Sequence, residues 1–211
     1  MGILLDTSIH VAAQTAATVT FTTPITIADK PNRILLVVLD GSLVSDKVTG
    51  VTWAGQAMTK VTASVQKPSN RWTSYWYLLS PTVGANNLVV TNSSSDYTEP
   101  SLACYYNVVQ SAPEATASAS GAANGGGVTS PTQIIDGQGS YNIVSVNRSD
   151  NPIFAPGSKS IQGGGDATVS VTTLTRGSWV VGALGSGGGA WVAYAVSLKP
   201  IRTNPSIMFG Y

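Results

Sequence analysis

The sequence predicts an all-β protein, folded as a two-sheet antiparallel β-sandwich with jelly-roll topology. Three observations support this prediction. Apolar and polar side chains alternate with a period of two in several runs, and clusters of Gly, Pro and Asn separate those runs at short intervals. The i, i+3, i+4 apolar spacing of an amphipathic helix is missing. A chain of 211 residues fits one large β domain more easily than two.

The aromatic segment 72–91 carries the clearest strand signal. Alternation places Trp72, Ser74, Trp76 and Leu78 on one face of an extended strand, and Thr73, Tyr75, Tyr77 and Leu79 on the other. Residues 80–87 then supply turn chemistry, and residues 88–91 resume as a strand. We therefore predict that this segment forms one β-hairpin.

The other strands follow from the same reasoning in chain order. The alternating run 18–22 predicts an early strand, and the apolar run 33–40 predicts a fully buried central strand. Residues 51–55 and 58–65 together predict a second hairpin. The remaining predicted strands cover residues 101–110, 141–147, 167–173, 179–184 and 191–198.

A single domain is predicted over residues 17–200, between an N-terminal arm at 1–16 and a C-terminal tail at 201–211. Residues 111–131 carry almost no large side chains, which favours a flexible loop inside that domain. The second half of the chain alone would make a thin sandwich. We therefore expect the sheets to draw strands from both sides of the loop.

The chain is poor in charge. Charged residues make up 10% of it, against roughly 25% in ordinary globular domains. A surface of hydroxyl and amide groups suits extended protein contacts, sugar contacts or life outside the cell. A net charge of +1 provides no basic field for phosphates, so we expect no nucleic-acid partner. Without a membrane-spanning run or a secretion signal, we expect no membrane partner and synthesis in the cytosol.

Four phrases of the sequence, in their order along the chain, resemble those of a known family. They are GVTWAGQAMT at 50–59, YWYL with PTVG within 75–84, YNVVQ followed by Pro113, and AWVAYAVSLKP at 190–200. Over residues 17–200 they resemble the jelly-roll β-sandwich domains of bacteriophage structural proteins and bacterial extracellular proteins. Asn107 departs from the pattern, which usually has Gly at that place. The resemblance implies a fold and a habitat, and it carries over no catalytic residues.

No arrangement of residues predicts catalysis. His10, the only histidine, lies in a segment expected to be mobile and has no partner at motif spacing. Cys104 lies in a strand-like run, which favours a buried, inert thiol over a nucleophile. The carboxylates stand in no motif, and residues 150–151 and 165–166 favour Asx turns over a calcium site. We predict no catalytic residue, cofactor or metal, and no activity that depends on His10 or Cys104.

The five tryptophans, at positions 53, 72, 76, 179 and 191, are open to two interpretations. Core packing is favoured because most of them lie in strands among apolar neighbours. Stacking on a sugar ring is the alternative. Trp72 and the adjacent Asn70 are the candidate glycan contact, because residues 70–71 place this tryptophan where a strand begins.

These observations lead us to expect a non-enzymatic structural protein of a phage virion surface, either a capsid decoration or cement protein or a tail component. It would assemble in the host cytoplasm, where it would form a homo-oligomer and would also bind other virion proteins. The alternative is a carbohydrate-binding or adhesin module of an extracellular bacterial or phage protein, and a glycoside-active enzyme is a distant third.

The two chain ends are the predicted assembly contacts. Burial of one large apolar side chain is worth roughly 1.5–3 kcal/mol, so exposed apolar ends suit docking on a neighbouring subunit. The residues concerned are Ile3, Leu4 and Leu5 at the N-terminus, and Ile207, Met208, Phe209 and Tyr211 in the tail. A tail that folds back onto its own domain is the alternative.

Overall fold

A computed structural model describes residues 3–41, 45–61, 64–67, 71–113, 115–121, 132–138, 141–147, 152–154, 159–160, 166–172, 176–185 and 191–201. The strands are β1 (Leu4–His10), β2 (Gln14–Phe21), β3 (Thr26–Ile27), β4 (Ile34–Gly41), β5 (Val48–Trp53), β6 (Gln56–Ala57), β7 (Thr59–Lys60), β8 (Val65–Lys67), β9 (Arg71–Leu79), β10 (Gly84–Ala85), β11 (Leu88–Tyr106), β12 (Ala115–Gly121), β13 (Thr132–Gln138), β14 (Tyr141–Asn147), β15 (Pro152–Phe154), β16 (Lys159–Ser160), β17 (Asp166–Thr172), β18 (Arg176–Gly185) and β19 (Trp191–Leu198).

The protein is all-β, and its strands pair in antiparallel fashion, as the alternating sequence runs predict. Within the described residues no helix occurs, and therefore none that is long and apolar enough to cross a membrane. The strands form one sheet of nine, one of five, one of three and a two-stranded pair of β3 with β10.

The nine-stranded sheet is organised around β11, which is 19 residues long. Its first part, residues 88–91, lies between β2 and β5, whereas residues 101–105 lie between β1 and β4. The pairing with β2 shifts register between Thr91 and Asp96. A register shift of this kind bends a strand, and the sheet curls back on itself and nearly closes.

The curled sheet encloses a first core. Val19, Val51 and Val90 contribute from the strands at one end of β11, and Leu35 and Leu102 contribute from the strands at the other. Ring side chains fill the space between them, and Trp53 and Phe21 are among the largest fully buried residues. The alternating strands thus bury their apolar positions against each other across the curl.

Strand β4 is buried on both faces, which confirms the prediction of a fully buried central strand. Leu35, Val37 and Leu39 point into the first core. Its other face contributes to a second core, whose members are Ile3, Ile34, Leu36, Val38, Tyr75, Ala103, Tyr105, Val108, Val196 and Leu198. A strand that serves two cores is expected to lack polar alternation, as the run 34–39 does.

The aromatic strand β9 has the predicted faces but not the predicted partner. Trp72, Trp76 and Leu78 contact the first core, and Tyr75 lies in the second. The predicted hairpin with residues 88–91 is wrong, because β9 pairs with β4, β7 and β8. Strand β4 lies between β9 and β11, since it pairs with both.

The second predicted hairpin is confirmed only at its start. Strands β5 and β6 pair through Thr52↔Ala57 and Trp53↔Gln56, and the turn consists of Ala54 and Gly55 with φ of 49° and 79°. Two left-handed residues in a two-residue connection match the right-handed twist of a hairpin. Residues 59–60 then leave β5 and pair with β9 instead.

The two halves of the chain form separate sheets, which corrects the expectation that sheets mix strands from both sides of 111–131. All nine strands of the large sheet precede residue 107, and all strands of the five- and three-stranded sheets follow residue 114. The halves are joined through the second core, to which Val196 and Leu198 contribute, and through a bridge between Val108 and Pro200.

Two boundaries predicted from sequence also change. The expected N-terminal arm includes β1, which pairs with β11, so residues 4–10 belong to the large sheet. The expected loop 111–131 includes β12, which pairs with β19. Asn107, the departure from the family pattern, has a φ of 62°. Asn adopts this left-handed region more readily than other non-glycine residues, so the turn after β11 accepts it in place of Gly.

Candidate functional site

A polar cluster lies where β1 meets β11, and its centre is His10. The register places His10 opposite Ser101, and His10 Nδ1 lies 3.0 Å from Ser101 Oγ. His10 Nε2 lies 2.9 Å from Glu99 Oε1. The side chains of His10 and Glu99 are only 24% and 15% exposed. The prediction of a mobile segment at His10 is therefore wrong, because cross-strand pairing holds this residue in the sheet.

The cluster continues across the sheet as a row of polar groups. Glu99 pairs with Asp40 on β4, and Asp40 pairs with Thr73 on β9. The Thr73 hydroxyl donates to a carboxylate oxygen of the buried Asp40, and Tyr97 Oη donates to Glu99 Oε2 at 2.9 Å. Two carboxylates are thus direct cross-strand neighbours, an arrangement that is unfavourable unless a positive charge lies nearby. His10 is placed to supply that charge.

The surroundings raise the pKa of His10 above its usual value of 6.5. The hydrogen bond to Glu99 is the largest cause, and the negative charges of Glu99 and Asp40 act in the same direction. Partial burial opposes them, since it disfavours the charged imidazolium. The effects of the two carboxylates outweigh that of burial, so the cationic form is favoured overall.

Protonation of His10 should therefore stabilise the fold. The pKa of His10 is higher in the folded protein than in the unfolded chain, where it is about 6.5. Its stabilising effect is therefore fully present below pH 6.5 and is lost as the pH rises through the folded pKa. We expect His10→Gln to lower the free energy of unfolding by about 1 kcal/mol below pH 6.5 and by less above the folded pKa. Denaturant titrations across pH measure this difference. Glu99→Gln is the matched partner variant, and an unchanged pH profile in both variants would contradict the assignment.

Ser101, His10 and Glu99 are the three residue types of a serine hydrolase triad. Their positions in the sequence form no motif that would predict this contact. Such an enzyme also needs donors aimed at the oxyanion. Ser101 lies inside β11 with β1 on one side and β4 on the other, so neighbouring backbone N–H groups serve the sheet ladders. The preceding Pro100 has no N–H group. The three side chains therefore favour a structural contact between two strands.

We accordingly expect no activated serine at position 101. A fluorophosphonate probe should leave the mass of the folded protein unchanged, because the backbone N–H groups beside Ser101 serve the sheet ladders and do not form an oxyanion site. Intact mass spectrometry provides the measurement. Labelling that disappears in both Ser101→Ala and His10→Gln would identify a catalytic serine and overturn the prediction that no activity depends on His10.

Cys104 lies fully buried in the first core, as the sequence predicts for an inert thiol. Burial raises the pKa of its thiol to about 12, with a further contribution from the negative charge of Asp6. The nucleophilic thiolate is therefore scarce in the folded protein. The sulfur packs as a small apolar side chain.

Cys104 should accordingly resist thiol reagents until the protein unfolds. At mildly alkaline pH, we expect native protein to react with an aromatic disulfide reagent at least about a hundredfold more slowly than protein in concentrated guanidinium chloride. The absorbance of the released thiolate reports both rates. Equal rates would show that the first core opens freely at β11.

The tryptophan of the candidate glycan contact is not at the surface. Trp72 is fully buried in the first core, and its Nε1 donates to Asp96 Oδ2 at 3.0 Å. Trp53 is also fully buried, and Trp76 is 6% exposed. Sugar stacking needs an exposed ring face, so these three residues match the core-packing interpretation. Asn70 and the side chains of the other two tryptophans lie outside the described residues.

The predicted assembly contacts fall into three groups. Ile3 is buried in the second core and Leu5 packs against that core, so both are used within the chain rather than offered to a neighbour. Leu4 is 45% exposed, so among the three N-terminal residues it is the one that a neighbouring subunit could contact. The tail residues Ile207, Met208, Phe209 and Tyr211 lie outside the described residues.

Within the described ranges, no group of three or more His, Cys, Asp or Glu side chains is arranged to hold a metal ion. The polar cluster around His10 was missed from the sequence because its members lie about ninety positions apart and share no motif. No protein-family model matches the chain, and no curated protein matches it.

Proposed function

We propose that the protein is a non-enzymatic structural component of a phage virion surface, a capsid decoration or cement protein or a tail component, that assembles through contacts between subunits. The observation that carries this proposal is the exposed strand β2, which has no charged residue, in a chain of which only 10% is charged. On β2 every exposed position is a small or amide side chain, namely Gln14, Thr15, Ala17, Thr18 and Thr20. Depletion of charge is typical of the centres of protein interfaces.

The jelly-roll β-sandwich is part of this proposal. The curled nine-stranded sheet and the five-stranded sheet share the second core, which is consistent with layers of sheet stacked on each other. The family resemblance of residues 17–200 supplies the phage habitat. The buried position of Cys104, which raises the pKa of its thiol, is consistent with a structural role.

Assembly of the purified full-length chain provides the first test. We expect sedimentation velocity and negative-stain electron microscopy to show a regular oligomer, and immunogold labelling with antibodies to this chain to decorate phage particles induced from the strain that encodes it. Labelled particles support a virion component, and the position of the gold separates capsid from tail. Particles that carry no label would reject the virion location.

Deletion of residues 202–211 provides the second test. If the apolar tail docks on a neighbouring subunit, the truncated chain should remain folded by circular dichroism and assemble poorly. If the truncated chain unfolds, the tail belongs to its own domain. If it assembles as well as the full chain, the tail has no part in assembly.

A further inference from the structure

Strand β2 differs from every other border strand of the large sheet in the described part of the chain. Strands β6 and β7 have two residues each, and β8 has three. Charges lie on two borders, with Lys60 on β7 and Asp6 on β1, and β1 also shifts register beside Asp6. Short length, charge and irregular pairing are the devices that keep sheet edges from pairing with other chains.

Neither short length nor charge protects β2, although its own pairing with β11 shifts register between Thr91 and Asp96. The strand runs for eight residues without a charged residue or a proline. Among the described strands it pairs with β11 alone, so no described strand covers the backbone N–H and C=O groups on its other side. Val19 and Phe21 pack in the first core and hold the strand there. The alternating residues Thr18 and Thr20 are exposed.

We propose that β2 is a self-association edge, where the β2 strands of two copies of this chain pair in antiparallel fashion across a two-fold axis. This inference rests on the proposed function in one respect, that copies of the chain assemble. The occupant has to be an extended strand, because only such a segment satisfies a row of backbone groups. A second β2 strand carries no charge that would repel the first, and the chain carries a net charge of only +1.

The chemistry of the strand suits its own copy. Cross-strand pairs of Thr with Thr, or of Thr with a small residue, are favourable in antiparallel sheets. A two-fold contact also uses the same surface on both subunits and closes after one step, as most homo-oligomer contacts do. The paired edges would join two large sheets into one continuous sheet.

The symmetry restricts the register. Directly opposed residues of an antiparallel pair point to the same face, and a two-fold axis perpendicular to the sheet preserves that face. On the axis, one residue of β2 must therefore lie opposite the same residue of the other subunit. For every other opposed pair, the two residue numbers must differ by an even number. Ala17 and Thr18, both exposed near the middle of β2, are the two central candidates for the axis.

The test compares the full-length chain with Thr18→Lys and Thr20→Lys, measured by sedimentation equilibrium over a wide range of concentration. Each substitution adds two like charges near the axis, and we expect the dissociation constant of the pair to rise at least about tenfold. Ala112→Lys adds the same charge at an exposed position after β11 and should leave association unchanged. Circular dichroism should be the same for all four proteins.

Each result decides a separate point. An oligomeric wild type whose two lysine variants assemble equally well overturns the β2 pairing alone. A wild type that stays monomeric at every concentration overturns both the pairing and the proposed assembly. If deletion of residues 202–211 disperses the oligomer while both lysine variants assemble normally, the tail of a neighbour makes the contact and the β2 pairing is wrong.

Discussion

Gly41→Ala is expected to lower the free energy of unfolding by about 1–3 kcal/mol, or more, because position 41 has no room for a methyl group. Gly41 lies at the end of β4, directly opposite Trp72 on β9. A Cβ built on Gly41 would overlap the indole ring of Trp72, and the tryptophan is fully buried. The ring cannot move aside without disturbing its hydrogen bond to Asp96.

Three further variants assign the cause of this effect. Gly50→Ala is the matched control, because a Cβ at Gly50 meets no atom within 4 Å. It should change stability little, or raise it by about 0.4–1 kcal/mol through the unfolded state. In a Trp72→Leu background the cost of Gly41→Ala should fall, since the overlapping ring is gone. Urea denaturation measures the parent protein and the four variants, and an equal effect of the two glycine substitutions would contradict the packing at Gly41.

Local periodicity predicted which side chains share a face, because a strand alternates whatever its neighbours are. The run 33–40 lacks polar alternation, and the structure buries β4 on both faces. The two faces of β9 were also predicted from the sequence, and Trp76 and Tyr75 lie in different cores as expected. These properties depend only on the pleat and on the distribution of apolar residues.

The partners of each strand could not be predicted in the same way. Residues 80–87 look like a hairpin turn, yet β4 pairs with β9 and lies between it and β11. Pairing over long separations depends on the core as a whole, whereas turn chemistry is local. Strand β12 was missed because its Ala and Ser residues provide no apolar contrast to detect. The contacts of His10 with Ser101 and Glu99 exist only because β1 pairs with β11.

Trp72→Ala is expected to be the most destabilising single substitution considered, with a loss of about 3–5 kcal/mol in the free energy of unfolding. Trp72 is fully buried, so its removal leaves a large cavity in the first core. It also removes the indole donor from the buried carboxylate of Asp96, which adds a cost for a less satisfied polar group. Since whole domains are stable by only about 5–15 kcal/mol, this variant approaches the limit of folding.

Milder and matched variants keep this prediction measurable. Trp72→Phe retains a ring but not the donor to Asp96, so it should cost less than Trp72→Ala and still be clearly destabilising. Tyr106→Ala removes an aromatic residue that is only partly buried on β11, and its cost should be smaller than that of Trp72→Ala. Thermal and urea unfolding provide the readout. If both Trp72 variants unfold like the parent protein, the ring is not packed in the core, and stacking on a sugar again becomes its best interpretation.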